Sequence, residues 1–135
     1  MCGKGNLDET LTGTPGYVQY EYIGKELPDL YAMADVVISR AGANVICELL
    51  ALKKPMILIP LPAAASRGDQ LLNAQSFEKQ GYAAVLQEED ITPDGLYEKV
   101  VNVYDRRDKY MEAMEKSDAG SGVETIIGLI KKWTK

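Results

Sequence analysis

Histidine is absent from all 135 residues, and with it the commonest general base and metal ligand of proteins. Acid–base chemistry therefore falls to a carboxylate or to a group outside this chain, and neither a metal nor a cofactor is expected. Cysteine is scarce: Cys2 and Cys47 stand apart without C-x-x-C spacing, which indicates neither a disulfide framework nor a zinc site. Basic residues are outnumbered, 15 Lys and Arg against 20 Asp and Glu, for a net charge of −5. No positive field is available to displace phosphate counterions, so a nucleic-acid partner is not expected. Long apolar runs are missing as well. The longest, residues 56–65, is interrupted by Pro60 and Pro62 and falls short of the roughly 20 residues of a membrane span. No charged-then-apolar leader precedes Gly3, and the cytoplasm is the expected compartment.

What is present is an ordinary globular composition, 46% apolar and 26% charged, in a length that suits one domain. Residues 1–16, rich in Gly and Thr, carry no periodic pattern and read as a loop. Residues 17–23 (Y-V-Q-Y-E-Y-I) combine aromatic and β-branched side chains and predict a strand ended by Gly24. Leu27, Leu30, Tyr31 and Ala34 have helical spacing, with Pro28 in the first turn. Residues 34–39 (A-D-V-V-I-S) and 56–61 are short apolar runs of the kind buried on both faces in a parallel sheet. Helices are predicted over 44–52, over 69–80 (stopped by Gly81), over 92–104 (started by Thr92-Pro93), over 108–116 and over 123–132, with a further strand over 82–86. The alternation predicts an α/β fold, a Rossmann-like parallel sheet of about four strands flanked by helices. Sheets of this class usually open on a strand and a Gly-rich turn; this chain opens on a loop, and an incomplete domain is expected.

Two strand-to-helix junctions hold the chemistry. The first reads Ala41-Gly42-Ala43-Asn44, with Glu48 one turn on; residues 41, 44 and 48 share a helical face. Val45, Leu49 and Leu52 are expected as the core stripe beside it, and Cys47 as a small buried apolar residue. Gly42 either lets a phosphate approach the backbone or serves tight helix–strand packing. Glu48 either accepts ribose hydroxyls or is a solvated acid favoured by the helix dipole. The second junction is Ser66-Arg67-Gly68-Asp69-Gln70 followed by Asn73; Gln70 and Asn73, three apart, offer amides to a sugar. Arg67 faces a phosphate or solvent. Arg40 sits where ligands bind in open α/β sheets, or pairs with Asp35 or Glu48. Helix mouths of this kind present unpaired N–H groups and a positive dipole end to an anion. Two on neighbouring parallel strands suit a phosphorylated sugar. Tyr17, Tyr22, Tyr31 and Tyr82 are expected in the core or at its edge, and the terminal I-K-K-W-T-K touches an anionic membrane or ends a helix on a packed Trp.

At these residues the chain resembles the MurG family of bacterial glycosyltransferases. The matching stretches are G-K-G-N (3–6), Y-I-G-x-E-L-P-D-L-Y-A-x-A-D-V-V-I-S-R-A-G-A (22–43), E-L (48–49), P-x-x-L-I-P-x-P (55–62), S-R-G-D-Q-x-x-N-A (66–74) and K-Q-G-Y-A-A-V-L (79–86). The resemblance implies the C-terminal, donor-binding domain of a GT-B enzyme that transfers GlcNAc from UDP-GlcNAc to lipid I, forming lipid II in peptidoglycan synthesis. It implies that Ile23 lines a uracil pocket and that Ala43, Asn44 and Val45 offer backbone N–H groups to the diphosphate. Glu48 would bind the ribose, Asp69 and Gln70 the GlcNAc hydroxyls, and Arg40, Gly42 and Asn73 belong to the same signature. The family often carries His or Gln where this chain has Asp69, and Thr where it has Val45. Its Gly-Gly-Ser phosphate loop and its N-terminal acceptor domain, which holds the histidine usually proposed as base, have no counterpart here.

Three readings follow: a donor-site piece of such a transferase, inactive by itself; a subunit completed by a partner; or a non-catalytic sugar-nucleotide-binding module. The parent enzyme is expected on the cytoplasmic face of the inner membrane as a peripheral protein. The resemblance implies that lipid I is reached only through the family's N-terminal domain. Unpaired sheet edges are expected to favour homo-oligomers.

Overall fold

The structure is a computed structural model that describes residues 1–117, 127 and 130–132. The helix expected over 123–132 lies for the most part outside the described residues, as does Trp133. The chain divides into two compact units, Met1–Ala34 and Asp35–Lys135.

The first unit holds a 3-10 turn at Glu9–Leu11 and the helix α1 (Leu27–Met33). Asp8 caps the turn, its carboxylate accepting from the Thr10 N–H at 3.0 Å. A reciprocal pair ties Asp8 to Gln19: the Asp8 N–H donates to Gln19 Oε1 at 3.0 Å and Gln19 Nε2 donates to the Asp8 carbonyl at 2.8 Å. Residues 17–23 do not form the expected strand. Among the described residues they join no ladder; the Cys2 N–H donates to the Tyr20 carbonyl at 2.9 Å and the Tyr17 N–H to the Thr14 carbonyl at 3.1 Å. A strand exists only as a paired strand, and Tyr22 here is 82% exposed.

The second unit runs β1 (Val37–Ser39), α2 (Ala43–Ala51), β2 (Met56–Leu58), α3 (Asp69–Lys79), β3 (Ala83–Val85), α4 (Pro93–Asp105) and α5 (Arg107–Glu115). The three strands form one parallel sheet in the order β1-β2-β3, with Ile38 opposite Ile57 and Ile57 opposite Ala84. The sheet thus has three strands among the described residues rather than about four. Central β2 is buried at all three positions, as a parallel strand covered on both faces must be. Ile57, Ala84 and Val103 form a buried cluster, flanked by Val36, Leu86, Val100 and Tyr110. Phe77 and Tyr82 add an edge-to-face pair with centroids 5.7 Å apart.

The helix ends show why the alternation is so regular. Gly81 takes a left-handed φ of 76° and closes α3: its N–H reaches the Glu78 carbonyl and the Tyr82 N–H the Phe77 carbonyl, each at 2.9 Å. Helix α2 closes the same way through Lys53 (φ 52°), with bonds from the Lys53 and Lys54 N–H groups to Leu50 and Leu49 at 3.0 and 2.9 Å. Thr92 caps α4, its Oγ1 accepting from the Gly95 N–H at 3.1 Å. The buried face of α2 is Ile46, Leu49 and Leu50, not Val45, Leu49 and Leu52; Leu52 is 47% exposed. Cys47, expected to be buried, is exposed on the other side of that face.

Candidate functional site

Both junctions lie at the carboxyl ends of neighbouring parallel strands. At the first, Gly42 is the N-cap of α2 in an extended conformation, with no side-chain cap. The first intrahelical bond runs from the Ile46 N–H to the Gly42 carbonyl at 3.1 Å, so the N–H groups of Ala43, Asn44 and Val45 have no partner within the helix. A Cβ added at Gly42 would meet nothing within 4 Å. Tight packing against the strand does not account for this glycine; there is open space in front of it. Ala41 beside it is fully buried. Glu48 is exposed one turn further on.

The second junction is built alike. Gly68, the N-cap of α3, holds φ 85° and has no side-chain cap, and the helix's first bond is from the Leu72 N–H to the Gly68 carbonyl at 3.1 Å. The N–H groups of Asp69, Gln70 and Leu71 are left at its mouth. Ser66 Oγ accepts from the Gly68 N–H at 3.2 Å, holding the turn. Here glycine is required by the backbone. Gly68→Ala should destabilise the fold by about 1–2 kcal/mol, the cost of a left-handed conformation with a Cβ, readable as a lower urea midpoint at unchanged m-value.

The amides that sequence reasoning assigned to a ligand are partly engaged. Gln70 Oε1 accepts from the Leu61 N–H at 3.1 Å, which fixes the loop after β2 and leaves the side-chain NH₂ to donate. Asn73 Nδ2 donates to the Ala41 carbonyl at 3.0 Å, leaving Oδ1 to accept. This second bond ties the α3 mouth to the α2 mouth. Each side chain uses one polar end to position the junction.

Arg40 pairs with neither Asp35 nor Glu48. Its Nη1 donates to Glu88 Oε2 at 2.6 Å and to the Ile59 carbonyl at 3.3 Å, so it spans the loops that leave all three strands. A hollow of about 290 Å³ opens there, lined by Ile38, Ser39, Arg40, Ile59, Glu88 and Ile91. Glu88 was not singled out from the sequence. It lies on the 3-10 turn Glu88–Asp90 after β3, and the parallel direction of the strands puts that turn at the same carboxyl end of the sheet as Arg40. The hydrogen bond from Arg40 holds the Glu88 carboxyl below the usual carboxylate range; burial opposes slightly and the guanidinium charge adds to the lowering. With a lowered folded value, any stabilisation from the pair is present above the unfolded value and lost as pH falls through the folded one. Arg40→Gln should therefore move the Glu88 titration upward, toward the usual range, in carboxyl ¹³C spectra; an unmoved midpoint would mean that the pair does not form in solution.

Of the ten residues expected at a site, Arg40, Gly42, Ala43, Asn44, Val45, Glu48, Asp69, Gln70 and Asn73 lie on the second unit's two junctions. Ile23 belongs to the first unit, half-buried in a segment without regular structure.

A parallel sheet with capless helix mouths at its carboxyl ends defines an open α/β protein, the class in which ligands are bound at that end of the strands. The profile of the glycosyltransferase family 28 C-terminal domain matches residues 1–130. The chain belongs to that family. It is 56% identical over 131 residues to the UDP-N-acetylglucosamine–N-acetylmuramyl-(pentapeptide) pyrophosphoryl-undecaprenol N-acetylglucosamine transferase of Geobacillus thermodenitrificans, across 97% of this chain and 37% of that protein. The transferase of the same name from Lachnoclostridium phytofermentans is 58% identical over 132 residues, covering 98% of this chain and 37% of that one. The chain thus spans little more than a third of the length of these curated relatives. The crystal structure of Acinetobacter baumannii MurG superposes with a TM-score of 0.65 at 24% identity, over 82% of this chain and 32% of that one, a likeness of fold. Among the described residues no helix is long and apolar enough to cross a membrane.

Proposed function

We propose that the chain is the donor-binding part of an inverting transferase that moves GlcNAc from UDP-GlcNAc to lipid I. The observation that carries this reading is the pair of capless helix mouths joined by the Asn73–Ala41 hydrogen bond. A diphosphate carries its charge on a group small enough to sit at one mouth, and a sugar attached to it reaches the next. In this reading the N–H groups of Ala43, Asn44 and Val45 hold the diphosphate, and the space before Gly42 admits it. Glu48 accepts the two ribose hydroxyls. Asp69 and the free NH₂ of Gln70 read the GlcNAc hydroxyls, and Asn73 keeps the two mouths in register. Arg40, held by Glu88, adds a cation at the same edge.

Catalysis asks for more than this chain offers. It has no histidine, and in this reading lipid I would be held by part of the relatives' length that the chain does not span. The whole enzyme would act at the cytoplasmic face of the membrane, where lipid I presents its headgroup; this chain by itself should bind donor without transferring it. Calorimetric titration with UDP-GlcNAc, UDP-GalNAc and UDP, beside a turnover assay on a lipid I analogue, tests both halves. The expected result is saturable binding, tighter for UDP-GlcNAc than for its C4 epimer, and no turnover. Equal affinity for the two sugars would remove the roles of Asp69 and Gln70, and turnover would remove the need for a second domain.

A further inference from the structure

At the opposite end of the strands from the helix mouths, a cavity of about 260 Å³ lies beside the start of β3. Lys99 and Asn102 on α4 and Arg106 just past its end, at spacings of three and four, supply one wall, and Lys109 and Tyr110 supply another from the first turns of α5. Ala83, Ala84 and Gly81 form a floor without bulky side chains, and Glu78 is the lone carboxylate of the lining. Three cations therefore face one acid, in a chain whose net charge is −5. Among the described residues no ion pair engages these three; the pairs formed are Arg40–Glu88 and Lys53–Glu115. The acidic residues of α4 and α5 that lie near in sequence, Glu98, Asp105, Asp108 and Glu112, are not part of this lining, although Glu112 lines another hollow with Lys109.

Like charges converge at some electrostatic cost, and a hollow between them lined with amide and phenol donors suits an anion. We propose that this cavity is a second anion site, which takes a phosphate group through Lys99, Arg106 and Lys109, with Asn102 and Tyr110 donating to its remaining oxygens. Arg and Lys side chains give charge-assisted bonds to phosphate, and the volume admits a phosphate or diphosphate but not a nucleotide sugar in full. The phosphate belongs either to a small soluble anion or to an anionic lipid headgroup. The proposal is independent of the reading of the helix mouths, which use other residues at the other end of the sheet.

Titration of pyrophosphate into the ¹⁵N-labelled chain, together with co-sedimentation on phosphatidylglycerol and on phosphatidylcholine vesicles, tests it. Saturable shifts at Gly81, Lys99, Asn102 and Lys109 would identify a soluble anion. Co-sedimentation with phosphatidylglycerol only, without such shifts, would identify a headgroup, provided that the substitutions abolish it. In either case the double variant Arg106→Gln, Lys109→Gln should weaken binding about tenfold or more, as expected for two lost charge-assisted bonds. Lys25→Gln, in the first unit, should leave it unchanged, and Glu78→Gln should strengthen it by about threefold through loss of a repelling charge. All of these side chains but Lys99 and Tyr110 are on exposed or open positions, so the variants should fold. Shifts confined to residues 42–48 and 68–73, no binding in any arm, or binding indifferent to the double substitution would overturn the proposal.

Discussion

Ile57→Ala is expected to destabilise the second unit by about 3.5 kcal/mol, within the range for removing a buried Ile side chain from a core that cannot collapse around the gap. Ile57 is fully buried at the middle of the central strand, against Ala84 and Val103. Its neighbours leave little room to fill the gap: Ala84 is already short, and the strand backbone is pinned in register on both sides. A domain of this size has about 5–15 kcal/mol in hand, so the variant should melt at a much lower urea concentration. Ile38→Ala, at the same register position on β1 but 46% exposed, should cost about 1 kcal/mol or less by the area rule. Equal losses at the two positions would mean that Ile38 is covered in solution, as it would be if β1 met a second copy of the chain along its open edge. Sedimentation equilibrium distinguishes that case.

The second large effect concerns binding. Glu48→Ala should weaken UDP-GlcNAc by about 2 kcal/mol, a factor of about 30, the worth of two hydrogen bonds to a charged acceptor once solvation is discounted. The carboxylate is exposed and makes no ion pair among the described residues, so folding stability should change by less than about 0.5 kcal/mol. Gly42→Ala separates fold from site in the same way. Its φ of −70° and the empty space before it accept a methyl group in the unliganded chain, yet that methyl group stands where the diphosphate would approach. Stability should hold while affinity falls about tenfold, on the order of 1.4 kcal/mol. A loss of stability at Gly42 would return that glycine to a packing role.

Much of the second unit was legible because its punctuation is local. Thr92-Pro93 starts a helix, Gly81 stops one, and the all-apolar run of β2 has no other home than the middle of a parallel sheet. Residues 17–23 misled because strand propensity describes a surface that fits a neighbour, and among the described residues no strand pairs with them. The buried face of α2 was misphased because residues 45, 46, 49, 50 and 52 are all apolar; two helical faces satisfy three-and-four spacing, and only packing chooses Ile46, Leu49 and Leu50. That same choice turns Cys47 outward. The two junctions were visible as glycine-bearing motifs after apolar runs. The partners of Arg40, Gln70 and Asn73 were not, since Glu88, Leu61 and Ala41 are set by strand order and loop path rather than by spacing. The engaged amide ends of Gln70 and Asn73 are the main revision: Gln70 fixes the loop after β2, and Asn73 joins the two mouths.

In the proposed function these two mouths act together on one nucleotide sugar. Titration of UDP-GlcNAc into the ¹⁵N-labelled chain, with shifts mapped residue by residue, tests this. Saturable shifts at both 42–48 and 68–73 with a single affinity, weakened together by Glu48→Ala, are the predicted result. Shifts at one mouth only, or at neither in millimolar ligand, would contradict it.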